Sequence, residues 1–421
     1  DVSNSSLPWD PAFDRQLEPD DVMRAVFFGL GADGTVSANK ATIKIIGEET
    51  SLYAQGHFEY DSRKAGSTTI SYLRFGPRPI RSTYRITQAQ FVAVHASEFL
   101  DRRNVLSCAA PGATVLLNTA VPTDRVWDSL PREAQQQLIA RRCKLFVIDG
   151  YAQSERAGLG RRINTVMQLC FFALSKVLPM DQAMQHLQKS LEETWGRRGQ
   201  EVVRRNLAAL EGTLAALVEV SVPAAVTATR VRPPAVPANA PNFAQRVTRL
   251  LLEGRGDELP VSAFPPDGTW PTGTSALEKR AIALNIPIWQ TDLCVQCNRC
   301  AMICPHAAIR TKVYATSELA DAPSGFRSML EAFEPQLEGL AYTVQVAPED
   351  CTDCGLCIEV CPAKDRHDTR RRSLVSEPLK VTREREREYF AFFEQIKSAP
   401  LVGLPIDRRT VTFREPLFEF S

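Results

Sequence analysis

The chain has no apolar run long enough to cross a bilayer. The longest candidate, residues 167–178, is interrupted by Gln168, Ser175 and Lys176, and it is shorter than the roughly 20 residues that a membrane-spanning helix needs. Such a run is typical of a buried helix. The chain also has no excess of either charge, because 50 basic and 49 acidic residues give a formal net charge of +1. We therefore expect no membrane partner and no nucleic-acid partner.

A secretory signal segment and a starting methionine are both lacking, since the chain begins at Asp1 in a polar stretch. Its eleven cysteines are then poorly suited to a secreted disulfide framework, and we expect a reducing, cytoplasmic compartment. The chain ends abruptly at residues 415–421, without a predicted terminal helix. We therefore expect it to be a piece of a larger protein.

Eight of the cysteines form two copies of one pattern. The first copy is Cys294-Val-Gln-Cys297-Asn-Arg-Cys300-Ala-Met-Ile-Cys304-Pro305, and the second is Cys351-Thr-Asp-Cys354-Gly-Leu-Cys357-Ile-Glu-Val-Cys361-Pro362. Each reads C-x2-C-x2-C-x3-C-P, the spacing of bacterial ferredoxins, in which the first three thiolates reach one [4Fe–4S] cluster and the fourth ligates the other. The pattern thus predicts two clusters with crossed ligands. One is held by Cys294, Cys297, Cys300 and Cys361, and the other by Cys351, Cys354, Cys357 and Cys304.

Other uses of these cysteines fit the spacing less well. A zinc site would pair two C-x2-C knuckles and leave the third and fourth cysteine of each copy unused. Neighbouring C-x2-C thiols also suit a metal better than disulfides. His306 is expected to tune or shield a cluster, or to be solvated, rather than to ligate it. The other three cysteines, Cys108, Cys143 and Cys170, are predicted to be ordinary core or near-surface thiols.

The first half of the chain predicts alternating strands and helices. Strands are expected at residues 24–28, 51–60, 70–75, 113–118 and 143–149, and helices at residues 36–48, 87–100, 130–142, 165–178, 181–195 and 199–218. This order is typical of an α/β domain with a mostly parallel sheet, whose ligands bind beyond the carboxyl ends of the strands.

A glycine-rich turn, Gly29-Leu-Gly31-Ala-Asp33-Gly34-Thr35, follows the first predicted strand. It fits G-x-G-x-x-G, in which glycines let a ligand approach the backbone and the start of a helix offers N–H groups to a phosphate. The turn could equally serve only to pack the helix on the strand. The residues predicted to bind a ligand near the strand ends are Gly31, Asp33, Thr35, Lys40, Asn118 and Asn164, with Arg161 as a further countercharge.

Composition divides the chain into four parts. Residues 1–220 form the α/β domain, residues 221–242 a proline-rich extended linker, residues 243–287 a small irregular domain, and residues 288–421 a two-cluster ferredoxin domain with a C-terminal extension. Within the last part, residues 317–337 are expected to form a helical excursion between the two motifs. Residues 381–396 are expected to form a helix whose charged face is solvated.

The order of these segments resembles that of pyruvate:ferredoxin (flavodoxin) oxidoreductases. Residues 29–40 are similar to the opening loop of the gamma-type domain of that family, and residues 158–167 to a later stretch of it. Residues 255–264 resemble the small domain that follows, and the two cysteine motifs resemble the inserted ferredoxin domain. Residues 415–421 resemble the stretch that leads into the thiamine domain.

This resemblance implies an α/β gamma-type domain followed by an α+β bacterial two-[4Fe–4S] ferredoxin domain. For the intact enzyme it implies oxidative decarboxylation of pyruvate to acetyl-CoA, with thiamine diphosphate, Mg and a third [4Fe–4S] cluster bound outside this chain. The chain itself would bind CoA, pass single electrons from the thiamine site through its two clusters to ferredoxin or flavodoxin, and lack the carbon chemistry. Expected partners are the remaining domains of the enzyme and, when it is intact, a second copy in a homodimer.

Two other functions stay open from the sequence. One is a dinucleotide-binding reductase domain fused to a ferredoxin, with Glu59 or Asp61 as the acid that binds the ribose. The other is a non-catalytic docking scaffold that carries a ferredoxin. Binding of CoA, of NADH or of neither separates the three hypotheses.

Overall fold

The computed structural model describes residues 18–31, 33–61, 67–160, 162–196, 199–277, 279, 281–331, 333–368 and 371–414. Most of the polar stretch that begins at Asp1 lies outside these ranges, as do Arg161 and residues 415–421. The chain divides into two compact units, residues 1–268 and residues 269–421. The division at Gly268 falls inside the segment predicted as a small irregular domain, and the three sequence-based boundaries stay predictions.

The first unit is built on one seven-stranded sheet. Its strands are β1 (Met23–Leu30), β2 (Tyr53–Tyr60), β3 (Thr68–Gly76), β4 (Ala89–Val94), β5 (Ala109–Asn118), β6 (Lys144–Ile148) and β7 (Val218–Val220). They lie in the order β2-β3-β1-β4-β5-β6-β7. The pairs β1–β4, β4–β5 and β5–β6 are parallel, which confirms the predicted parallel core. On one side β3 pairs antiparallel with β1 and β2, and on the other β7 pairs antiparallel with β6.

Helices cover both faces of this sheet. They are α1 (Thr35–Glu49), α2 (Phe99–Arg102), α3 (Val126–Ser129), α4 (Arg132–Ala140), α5 (Gly150–Arg156), α6 (Asn164–Ser175), α7 (Met180–Trp195), α8 (Gln200–Leu210) and α9 (Thr213–Ala216), and α10 (Arg249–Leu252) follows β7. None of the helices in the described ranges combines the length and the apolarity that crossing a membrane requires.

The apolar run in β1 shows why both faces are covered. Successive side chains of a strand point to opposite faces, so Phe27 packs in the core on one side with Phe171 of α6, and Phe28 packs in the core on the other side with Phe99. Strands buried on both faces read as continuous apolar runs. Because apolar side chains cover both faces of the sheet, polar side chains lie at the carboxyl edge of its parallel strands.

Two helix predictions in this unit are wrong. Residues 87–100 were predicted as one helix, but they contain β4, because a short apolar run such as Phe91-Val-Ala-Val94 does not by its period distinguish a buried strand from a helix. Residues 199–218 were also predicted as one helix. Gly212, at a φ of 75°, separates α8 from α9, and the strand β7 begins at Val218.

The second unit is α+β. Strand β8 (Asn285–Trp289) pairs with β12 (Leu374–Pro378), and β9 (Ile309–Tyr314), β10 (Met329–Leu330) and β11 (Ala341–Val346) form a sheet in the order β10-β11-β9. Its helices are α11 (Arg299–Ile303), α12 (Leu356–Glu359) and α13 (Leu379–Gln395). The predicted helical excursion at residues 317–337 is wrong. In the described ranges it consists of two short 3-10 turns and β10, because Pro323 and Gly325 interrupt any longer helix.

The helix α13 is confirmed, but its charged face is only partly solvated. Glu386 is 1% exposed, accepts a hydrogen bond from Gln345 Nε2 at 2.9 Å and pairs with Arg327 Nη1 at 3.2 Å. Lys312, from β9, is 2% exposed and donates to the carbonyl groups of Phe393 and Ile396 at 2.8 and 3.0 Å. A cation at a helix C-terminus satisfies free carbonyls and the helix dipole, so Lys312 anchors α13 to the sheet.

Candidate functional site

The eight motif cysteines surround two cavities in the second unit. Cavity I is lined by Cys294, Cys297, Cys300 and Cys361, together with Trp289, Tyr342, Val344 and Leu374. Cavity II is lined by Cys304, Cys351, Cys354 and Cys357, together with His306, Ile286 and Ile309. Each cavity therefore takes three thiols from one motif and the fourth from the other. These are the two sets that crossed ligation requires, and the assignment of the eight cysteines as ligands stays a prediction.

Both motif loops curl in the same way. Gln296 and Asp353, each two residues after the first cysteine of a motif, have positive φ values of 47° and 57°, and their backbone N–H groups donate to Cys294 Sγ at 3.4 Å and Cys351 Sγ at 3.5 Å. The residues at the next equivalent positions, Asn298 and Gly355, also have positive φ. Successive residues of this kind aim backbone N–H groups into a concave loop, which favours an anionic ligand.

Buried hydrogen bonds hold the strained loop around cavity I. A non-glycine residue in the left-handed region costs about 1–3 kcal/mol and persists only when its surroundings fix it. Asn298 is 1% exposed, donates to the carbonyl of Arg409 at 2.8 Å and accepts from the hydroxyl of Tyr342 at 2.6 Å. Gln296 donates from Nε2 to the carbonyl of Leu330 at 2.6 Å. The loop geometry therefore depends on residues outside the motif.

The fourth cysteine of each motif follows a short helix. Cys304 comes after α11, and its sulfur accepts from the N–H of Ala308 at 3.3 Å. Cys361 comes shortly after α12, whose C-terminus is capped by Arg372. The Arg372 guanidinium donates to the carbonyls of Ile358 and Cys361 at 2.7 and 3.3 Å. These contacts fix the turn that carries each fourth cysteine to the other motif's cavity.

The thiol environment fits a metal cluster. Burial raises the pKa of Cys351 and of Cys357 to about 12, and neighbouring cysteines raise it further. Burial likewise raises the pKa of Cys300. Four thiolates in an apolar cavity need bound cations to stabilise their charge, which an iron–sulfur cluster supplies. Within the described ranges, no three His, Cys, Asp or Glu side chains converge as a single metal ion would need.

Near cavity II, the ring of His306 is close to a second polar side chain. His306 Nδ1 lies 3.4 Å from Thr352 Oγ1, and both residues line the cavity. The other three cysteines lie in the first unit. Burial raises the pKa of Cys108 and of Cys170 to about 12 and also raises that of Cys143, as expected for unreactive thiols.

A second polar group lies at the carboxyl edge of the parallel strands. Asp33, after β1, accepts from the backbone N–H groups of Leu30 and Thr35, each at 2.7 Å. Thr35 Oγ1 lies 2.6 Å from Nδ1 of His95, the residue after β4. Asn118, which ends β5, donates to the His95 carbonyl and accepts from the N–H of Gly150 at the start of α5, both at 2.8 Å. We call this network the polar edge.

The remaining predicted ligand-binding residues have different positions. Gly31, which directly follows β1, donates from its N–H to the carbonyl of Ser67 at 2.7 Å. Asn164 begins α6 and packs against Gly34, where a Cβ would lie 2.8 Å from the Asn164 side chain. Lys40 is exposed further along α1, with Nζ 5.4 Å from the centre of the Phe58 ring. Lys40 is therefore not part of the polar edge.

Two glycines of the turn have a packing role. A Cβ at Gly29 would lie 2.5 Å from Thr35 Oγ1, and Gly34 has a φ of 88° in addition to its contact with Asn164. The N–H of Thr35, at the start of α1, is already bound by Asp33. These contacts show that Gly29 and Gly34 let α1 pack closely on β1, which is the alternative role that the sequence left open for the turn.

The geometry of the sheet removes support from the dinucleotide hypothesis. β2, which carries Glu59, is separated from β1 by β3, whereas the ribose-binding acid of such a site ends the strand beside β1. Glu59 also forms an ion pair with Arg85 at 2.5 Å.

His95 is the member of the polar edge that sequence reasoning missed. It is 2% exposed, and its Nε2 has no hydrogen-bond partner among the described residues. Burial lowers the pKa of His95 to about 4, and the Asp33 carboxylate opposes this shift. A polar residue directly after a buried strand was the available signal, but the helix predicted over residues 87–100 concealed the end of β4.

We predict that His95 makes the stability of the protein depend on pH. Between pH 6.5 and about 4 the unfolded imidazole binds a proton that the folded one does not, so stability increases with pH in this window and is lost as pH falls through it. The loss is about 3 kcal/mol. Denaturant unfolding at several pH values should show this dependence in the parent and a weaker one in His95→Gln. His57→Gln, which removes an exposed imidazole, should keep the full dependence, and an unchanged slope in His95→Gln would contradict the prediction.

Three family models match successive parts of the chain. Residues 24–216 match the model described as pyruvate ferredoxin/flavodoxin oxidoreductase, residues 229–283 one described as a domain of unknown function, and residues 293–364 the 4Fe-4S dicluster domain. The third match includes all eight motif cysteines.

Curated relatives match over the whole chain. A putative pyruvate-flavodoxin oxidoreductase of Synechocystis is 48% identical over 100% of this chain and 35% of that protein. The probable pyruvate-flavodoxin oxidoreductase of Escherichia coli is 44% identical over 100% of this chain and 36% of that protein. The crystal structure of a pyruvate oxidoreductase subunit from Thermotoga maritima, at 17% identity, covers 48% of this chain and 99% of that subunit with a TM-score of 0.39.

The chain spans about a third of the length of these curated relatives. The match to the oxidoreductase model covers the sheet of the first unit, and the match to the dicluster model follows it in the second unit. Over its whole length the chain is therefore similar to a segment of pyruvate-flavodoxin oxidoreductases.

Proposed function

We propose that this chain is the electron-transfer portion of a 2-oxoacid oxidoreductase that acts on pyruvate. The observation that carries the proposal is the pair of cavities, each lined by three cysteines of one motif and the fourth of the other. When bound there, two [4Fe–4S] clusters would supply one-electron carriers between the thiamine site of the intact enzyme and an external acceptor. Ferredoxin or flavodoxin is the proposed acceptor.

The protein's own part in this function is to bind and to shield. The cysteine thiolates hold the clusters, and backbone N–H groups such as those of Gln296, Asp353 and Ala308 donate to sulfur. Buried apolar side chains, including Ile286, Ile309 and Val344, exclude water from the cavity walls. Hydrogen bonds to sulfur and exclusion of solvent are the means by which a protein sets cluster potentials.

The finer parts of the proposal concern the intact enzyme. Thiamine diphosphate, Mg and a third [4Fe–4S] cluster would be bound by other domains, which are the proposed partners of this chain within a homodimer. A reducing, cytoplasmic compartment suits eleven cysteines that are all free.

We predict that the anaerobically purified chain contains about eight iron atoms and eight acid-labile sulfides, as two cubanes require. Cys297→Ala should lose one cluster and leave the other damaged but detectable, because the ligand sets are distinct while the loops are interlaced. The matched control is Cys143→Ala, which removes a buried cysteine outside both cavities and should keep the full iron content. Chemical analysis measures the iron and sulfide content, and electron paramagnetic resonance (EPR) shows which clusters remain in each variant. Tetrahedral zinc without a reducible paramagnetic centre would contradict the proposal.

We also propose that the polar edge and its surroundings bind CoA. The support is the position of Asp33, Thr35 and Asn118 beyond the carboxyl ends of parallel strands, where ligands of such sheets bind. His95 Nε2, buried and without a partner in the described part of the chain, offers a further polar atom. Asn164, Gly31 and Lys40 are the other residues that the proposal includes, with Lys40 providing positive charge on the exposed side of α1.

Calorimetry of CoA binding to the cluster-loaded chain tests this second proposal. Gly31→Val puts a side chain where the ligand must approach, and Lys40→Ala removes one charge, so affinity should fall in both variants. Lys44→Ala removes an exposed lysine one turn further along α1 and should leave affinity unchanged. Unchanged affinity in both test variants would place the CoA site elsewhere.

A further inference from the structure

Trp289 brings a polar group to the wall of cavity I. It ends β8, is 4% exposed and packs edge-on against Tyr342, with ring centroids 5.8 Å apart. Its indole Nε1–H is buried, and among the described residues it has no partner with hydrogen-bond geometry. A buried donor without an acceptor costs about 1–3 kcal/mol. The cysteine sulfur atoms that line the same cavity are the acceptors available to this donor.

The other polar side chains of this wall already have partners. The hydroxyl of Ser373 donates to the carbonyl of Gln290 at 3.0 Å. The hydroxyl of Tyr342 donates to Asn298, and Asn298 in turn donates to the backbone of Arg409. Trp289 differs from these residues, because its polar atom is directed to no oxygen or nitrogen acceptor within the described part of the chain.

Cys294 is the cavity I cysteine nearest to Trp289 along the chain, and the two side chains line the same cavity. The Trp289 Nε1–H has no partner among the described residues. A cysteine that holds a cluster is an anionic acceptor, and hydrogen bonds to ionised acceptors are stronger than hydrogen bonds between neutral groups.

We propose that Trp289 is a tuning residue whose indole N–H donates to Cys294 sulfur, or to an adjoining sulfide, and raises the reduction potential of the cluster in cavity I. The inference rests on the proposed function, since it requires a cluster in that cavity. Reduction adds one negative charge to the cluster, and a donor directed at sulfur stabilises the reduced form more than the oxidised form.

Cavity II provides an internal reference. Trp289 lies five residues before Cys294, and the residue five before Cys351, the first cysteine of the other motif, is Val346. Val346 is 4% exposed and has no side-chain donor. Removal of the indole N–H should therefore act on the cluster in cavity I and not on the one in cavity II.

The test is an EPR-monitored redox titration of the anaerobic, cluster-loaded chain. Trp289→Phe keeps an aromatic ring but removes the N–H, and the potential of the cavity I cluster should fall while that of the cavity II cluster stays unchanged. A tenfold destabilisation of the reduced form corresponds to a fall of about 59 mV. Trp127→Phe is the matched control, because it removes another buried indole N–H, that of a tryptophan in the first unit which lines neither cavity. It should leave the potential near the parent value.

A second measurement needs no substitution. With tryptophan labelled by 15N at the indole nitrogen, the reduced cavity I cluster of the parent should show a hyperfine coupling to 15N. An absent coupling, an unchanged potential in Trp289→Phe, or an equal fall in Trp127→Phe would each overturn the inference while both clusters are present. A parent chain without two clusters would instead contradict the proposed function.

Discussion

The fourth cysteine of each motif belongs to the cavity of the other motif, and the architecture of the second unit follows from this sharing. Each cavity takes three cysteines from one motif and its fourth from the other, so both motifs must fold together to line it. The short helices α11 and α12 carry Cys304 and Cys361 to their places, and Arg372 fixes the end of α12. A metal cluster bound in this way contributes to folding as well as to electron transfer.

Much of the support for the cavities comes from residues far from the motifs in sequence. Asn298 reaches the backbone of Arg409, and Gln296 reaches Leu330, so segments on either side of the second motif hold the loop of the first. Lys312 joins β9 to the end of α13. Buried polar networks of this kind stabilise one geometry only when every member is satisfied. We therefore regard the C-terminal segment as part of the cluster-binding structure.

The sequence was informative where chemistry needs a fixed spacing and less so where tertiary contacts decide. The cysteine spacing predicted how the eight thiols are grouped, because ligand geometry leaves few alternatives. The apolar runs predicted β1, β5 and β6, whereas β4 was mistaken for a helix since its run is short. The burial of Glu386 inside a charge run depends on Gln345 and Arg327, which are remote in sequence. The same holds for His95, whose environment is set by Thr35 and Asn118.

The most direct test of the account is an anomalous-difference map at the iron absorption edge, from anaerobic crystals of the cluster-loaded chain. We predict two four-iron peaks, one bound by Cys294, Cys297, Cys300 and Cys361 and the other by Cys351, Cys354, Cys357 and Cys304. A peak bound by all four cysteines of one motif, or two single-ion peaks, would contradict crossed ligation and with it the proposed electron-transfer role.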